Sequence, residues 1–205
     1  MEEFKVPQLA MPFNCILNDC KESLTNSTIV THFCSQHRVD FQEIALNEKI
    51  LMMVTTDDNF LTYGRNVCLG IVGIRYKRQE IESMSTSSIH DIEHFPNPFP
   101  ILIMCRRSNY QQLFDSGDRE INKNGDFLAL WLSMPKVNDH KLHSILSVFN
   151  EDYTTSISKS VDVKYMPDNN NLLGSNHLII NSGLLVKLSS DDSIILEIIL
   201  KENLL

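Results

Sequence analysis

Four residues near the start of the chain have the types and spacing of a metal site, Cys15-x4-Cys20-x11-His32-x4-His37. Two thiolates and two imidazoles are the preferred tetrahedral set for structural zinc, and a site whose four positions are all protein side chains keeps none open for catalysis. One structural Zn2+ ion is therefore expected on Cys15, Cys20, His32 and His37. The intervening residues suit that geometry. Cys15 and Cys20 would flank a β-knuckle, and Asn26 or Ser27 would cap a helix starting near Thr28. That helix would turn Ile29, His32 and Phe33 inward, with Phe13 and Leu24 completing a small core. His37 lies off the ideal helical face set by His32, so it must bind where the last turn loosens. So small a core cannot fold unaided. Metal binding supplies the deficit, about 10–16 kcal/mol in finger peptides. Cys34 falls on the far side of the helix from His32 and reads as a small packed side chain.

The other candidate groups carry less. His90–Asp91–Ile92–Glu93–His94 has the outline of a zincin motif with Asp in the base position, but that motif works only on a helix. Here it stands between a serine-rich stretch and Pro96, and reads as a polar loop. Cys68 and Cys105 sit among apolar neighbours and read as core; no paired histidine makes either a nucleophile. His140 and His143 are expected in a polar turn, and Trp131 in a sandwich core. No G-x-G-x-x-G, P-loop, G-x-S-x-G or kinase signature is present. Without a nucleophile–base pair or an open metal position, an enzyme is not expected.

Bulk properties narrow the partners. The chain has 205 residues, 18 basic and 26 acidic, for a formal charge of −8. An acidic chain gains little from phosphate backbones unless its basic residues cluster. They do so weakly, at Arg75–Lys77–Arg78 and Arg106–Arg107, so direct nucleic-acid binding is not expected. The start, Met1–Glu2–Glu3–Phe4–Lys5, is acidic where a signal peptide would be basic, and no apolar run reaches the length of a bilayer. An intracellular protein of nucleus or cytoplasm, with no membrane partner, is expected. Five cysteines there point to packing or metal, not to a disulfide frame.

The elements that must position the finger follow from residue 40 onward, where short runs rich in Val, Ile, Leu, Phe and Thr alternate with polar punctuation. Strands are expected at Phe41–Leu46, Ile50–Thr55, Val67–Tyr76, Ile101–Cys105, Phe127–Leu132, Leu146–Phe149, Ser158–Tyr165, Leu178–Lys187 and Ser193–Leu200. In Ser158–Lys164 the alternation is clean, with Val161 and Val163 opposite Asp162 and Lys164. In Ser193–Leu200 it is blurred, as for a strand covered on both faces. Asp57–Asn59, Asn122–Gly125, Asn169–Asn171 and Asp191–Asp192 read as turns. No helical period of useful length interrupts the strands, apart from one turn's worth at Leu142–Leu146. The expected fold class is mainly β: a lead over 1–12, a Cys2His2-type finger over 13–38, and an antiparallel β-sandwich over 39–205 with a long loop at 79–98.

That order of parts resembles the C-terminal half of the seven-in-absentia (SINA/SIAH) ubiquitin ligases, a zinc finger followed by a TRAF-like sandwich. Asn181–Ser182–Gly183–Leu184–Leu185–Val186 and Ser193–Leu200 look like the last two strands of that family's substrate-binding domain. Tyr63–Gly64–Arg65–Asn66–Val67–Cys68–Leu69–Gly70 sits where the family turns into a strand. The Asn-Val-Cys-Leu-Gly segment after such a finger is also similar to a family of short fly proteins known only as a domain of unknown function, some of them implicated in germline nuclear RNA silencing. The eight RING ligands of the SINA ligases have no counterpart here. What the resemblance implies is a SIAH-like substrate-binding half: an adaptor that holds extended peptides of partner proteins along a sheet edge and forms homodimers. The alternatives are a substrate-recognition subunit of a ubiquitin ligase, or a nucleic-acid-binding zinc-finger protein.

Overall fold

A computed structural model describes residues 12–57, 60–75, 98–110, 125–135, 142–166 and 176–202. The finger comprises strands β1 (Phe13–Asn14) and β2 (Ser23–Leu24) and helix α1 (Ile29–Gln36). The rest is mainly β. Strands β3 (Phe41–Ile44), β5 (Asn66–Ile74), β6 (Phe99–Asn109) and β7 (Asp126–Met134) lie side by side in one sheet. The far side of β7 is shared by β10 (Lys164–Tyr165) and β11 (Leu178–Asn181), which makes the sheet six-stranded. A four-stranded sheet has the order β4 (Lys49–Thr55), β12 (Ser193–Glu202), β8 (Leu142–Phe149), β9 (Ser156–Asp162).

The inner faces of the two sheets share one apolar core. Val72, Ile101, Ile103, Leu128, Leu130 and Leu132 of the larger sheet meet Ile50, Val54, Leu146, Val148, Leu196 and Ile198 of the smaller. A second core lies on the outer face of the larger sheet. There Leu24, Ile29 and Phe33 of the finger pack with Cys68, Ile71, Leu102, Met104, Phe127 and Trp131. The finger is thus a third layer, and β7, between two cores, is buried at every position. Period-2 alternation explains the division: the even residues of β7 face the small sheet and Phe127, Ala129 and Trp131 face the finger. On β5 the register shifts between Cys68 and Gly70, and this bulge reverses the phase, so that Cys68 and Ile71 both reach the finger side.

Several expectations need correction. The sheet is mixed, since β3 pairs with β5 and β10 with β7 in parallel. Ser182–Leu188 is helix α2, not the end of a strand; Asn181 caps it, accepting from the Leu184 N–H at 2.9 Å. Leu142–Leu146 is strand, and His143 is a half-buried residue of β8 instead of a turn residue. Trp131 is fully buried, but under the finger and not between the sheets. Residues Ile194 to Leu200 alternate buried and half-buried, so it is β6 and β7, not β12, that are covered on both faces. The Asp191–Asp192 turn is present, with φ of 47° and 57°. The motif at His90–His94, His140, the Asn169–Asn171 turn and nearly all of the 79–98 stretch lie outside the described residues.

Candidate metal centre

The finger's local structure follows from its sequence. Pairing of Phe13 with Leu24 and Asn14 with Ser23 closes the knuckle, and the Cys15 N–H donates to the Glu22 carbonyl at 2.9 Å. The Cys20 N–H donates to Leu17 O at 3.0 Å, which folds the second thiol back toward the first. Neither Asn26 nor Ser27 caps the helix. Thr28 is the N-cap residue, and its Oγ1 accepts from the Thr25 N–H at 3.0 Å, tying the entry turn together instead of bonding to the first helical turn. Ile29, His32 and Phe33 are buried along one face, as a period near 3.6 requires. His37 is the C-cap residue, and its N–H donates to Phe33 O in an ordinary i→i−4 bond, so the last turn is not loosened as expected.

These elements bring Cys15, Cys20, His32 and His37 together, with one ligand atom from each and all four within 4.8 Å of one another. Cys15 Sγ is 3.5 Å from His37 Nε2, Cys20 Sγ is 3.6 Å from His32 Nε2, and the two Nε2 atoms are 3.1 Å apart. A tetrahedron with zinc–sulfur and zinc–nitrogen bonds of ordinary length has S···N edges of about 3.5–3.6 Å and an N···N edge of about 3.3 Å. These three edges suit such an ion, and the group of four could hold one metal ion. Burial pushes the Cys15 thiol up to about 11, and burial, with His32 alongside, lowers His37. A cation at the centre offsets the first cost, because metal-bound thiols are deprotonated.

Cys15 and His32 are buried while Cys20 and His37 are half-buried. The latter two line a cleft of about 510 Å3, together with Glu22, Phe60 and Arg65. Three contacts across that cleft fix the knuckle to the turn entering β5. Asn18 Nδ2 donates to Gly64 O at 3.2 Å, Asn66 Nδ2 donates to Ile16 O at 3.0 Å, and Arg65 pairs with Asp19 at 2.8 Å. Gly64 takes φ +74° there, which suits a residue without a Cβ.

Spacing alone missed these supporting residues. It also missed Glu22, whose carboxylate lies 3.0 Å from His32 Nδ1, although the ring N–H is not yet aligned on it as a hydrogen bond. The available signal was a carboxylate two residues beyond Cys20, just before the strand that closes the knuckle. Cys34 stays outside the cluster, half-buried against the finger core. Cys68 and Cys105 are buried, and burial raises both thiols far above their ordinary range. Among the described residues no helix is long and apolar enough to cross a membrane.

Fold and site together define a mainly β protein whose N-terminal Cys/His cluster is built into the sheet it covers. Residues 14–191 match the family model of a domain of unknown function, DUF4729, and the chain belongs to that family. The match runs from the residue before the first ligand to the turn that enters β12. No curated protein matches the chain.

Proposed function

We propose that this protein is a non-enzymatic adaptor: a two-sheet scaffold, braced by one structural zinc ion on Cys15, Cys20, His32 and His37, that holds other proteins against the surface of its smaller sheet. A SIAH-like relationship is part of this proposal, as is an intracellular, nuclear or cytoplasmic setting in an RNA-silencing complex; both rest on sequence resemblance.

One observation carries the reading. The finger covers the outer face of the larger sheet, while the outer face of the smaller one bears an apolar row across three strands, Met53–Ile195–Phe149. Tyr153 extends it, with its ring 5.4 Å from that of Phe149 and 56% exposed. Contiguous exposed apolar surface marks protein-interaction sites, and sheet edges accept extended segments of partners. The four-ligand set supports a structural role for the metal, since the protein fills every position. The finger's helix does not favour nucleic acid. It has no basic residue in its last turn, and its exposed positions are Thr31, Ser35 and Gln36.

The test is capture of partners by the full zinc-loaded chain, compared with a Phe149→Asp variant of unchanged circular dichroism. Partners retained by the parent and lost by the variant support the reading; identical capture by both, or none by either, rejects it.

A further inference from the structure

The cleft between the knuckle and the turn entering β5 has the size of a ligand pocket. It measures about 510 Å3, within the range of about 300–1,000 Å3 usual for such sites. Phe60 lines it and is 45% exposed, although its neighbour Leu61 is buried. The Phe60 N–H donates to Asp57 Oδ1 at 2.7 Å, so a fixed backbone leaves this ring uncovered. The polar groups of the lining are unevenly used. Three donors are engaged: Asn18 Nδ2 on Gly64 O, Asn66 Nδ2 on Ile16 O, and Arg65 Nη1 on Asp19. The acceptors are left over. Asn66 Oδ1 is buried without a partner. Asp19 gives one carboxylate oxygen to Arg65, and Glu22 turns one toward His32, while a carboxylate can accept at both. Gln36 and Thr62 offer donors and acceptors alike and do not tip the balance.

We propose that this cleft docks a basic side chain, arginine or lysine, of a partner protein, with the cation at Glu22 and Asp19 and its aliphatic stem or guanidinium plane on Phe60. Charge selects a cation. Of the charged side chains in the lining, Arg65 is matched to Asp19, and Glu22 has no cation of its own among the described residues. Lys21 and Arg38 are exposed and do not line the cleft. The metal centre adds no net charge, since two thiolates balance a divalent ion. An exposed aromatic face attracts an ammonium or guanidinium as well. The resident pair is no barrier. Arg65 and Asp19 are both more than half exposed, so their bond is weak and an incoming cation shares Asp19 at little cost. The site is separate from the apolar row of the smaller sheet. It goes beyond the adaptor reading by naming the chemistry of a second contact, and its test needs no captured protein.

Zinc-loaded, isotopically labelled full-length protein is titrated with three acetylated, amidated tripeptides, Gly-Arg-Gly, Gly-Lys-Gly and Gly-Glu-Gly, and followed by NMR. Saturable shifts in the millimolar range are expected at Phe60, Thr62 and Asn66 with the basic peptides and none with the acidic one. Shifts with one basic peptide alone name the residue that docks. Asp19→Asn should weaken binding by about threefold, the scale of one exposed ion pair, and Arg65→Gln, which removes the resident competitor, should tighten it by a similar factor. Phe60→Ala, far in sequence from the four ligands, should weaken it too. The proposal falls if neither basic peptide moves these signals or if the acidic one moves them equally. It falls as well if Asp19→Asn and Arg65→Gln shift affinity in the opposite senses. Any of these results alongside Phe149-dependent capture of partners would remove this site and leave the adaptor reading standing.

Discussion

His32 presents two different faces to its surroundings: Nε2 joins the ligand cluster, 3.6 Å from Cys20 Sγ, while Nδ1 lies 3.0 Å from the carboxylate of Glu22. A carboxylate on the remote nitrogen fixes the tautomer that leaves Nε2 free to ligate and makes it a stronger donor. Glu22→Ala is expected to weaken zinc binding by about tenfold, the low end for such a partner because Glu22 is more than half exposed. Glu22→Gln, which can still accept from the ring N–H, should recover part of the loss. Competition with a chromophoric chelator reads both. Equal affinities in all three proteins would leave Glu22 without a positioning role.

Removing the metal should loosen the third layer. Trp131 is the chain's one tryptophan, is fully buried, and lies in the core shared with Phe33 and Ile29. Chelation is therefore expected to shift tryptophan emission to the red and lower the melting temperature, with both restored on adding zinc. Unchanged emission from a metal-free sample would show that the finger holds its place unaided.

Thiol labelling should sort the five cysteines. Cys15 and Cys20 are expected to resist alkylation while the metal is bound and to react after chelation. Cys68 and Cys105 should stay protected in both states, because burial disfavours their thiolates. Cys34, half-buried with its thiol raised by burial, should label slowly throughout. Mass spectrometry of the labelled peptides decides.

Gly73 is a packing requirement. A Cβ there would stand 2.7 Å from Phe41 Cζ and from Pro98 Cγ. Gly73→Ala is expected to cost about 1–3 kcal/mol by overpacking, read by urea denaturation. A neutral result would mean that Phe41 and Pro98 move aside freely.

The finger was legible because its four ligands lie close together in sequence and their chemistry restricts the residue types. Most strands were legible too, since β-rich runs such as Val67–Ile74 and Ile101–Cys105 carry their own period. What failed depends on contacts distant in sequence. Nothing local tells Trp131 that its cover is α1 and not the small sheet, or tells Phe41–Ile44 to pair in parallel with β5. Helix α2 was hidden because its Leu184, Leu185 and Val186 continue the apolar texture of β11; the cap at Asn181, three residues before Leu184, was the clue.

The finger joins the sheet without a linker: Val39 donates back to Phe33 O, and Asp40 O already accepts from Ile71 in β5. A chain synthesised when zinc is scarce would thus fail as a whole surface, with the oily side of β7 laid open to chaperones and proteases. Since a small loss of stability changes cellular abundance several-fold, metal supply would bear on the protein's lifetime in the cell, and through it on the amount at work.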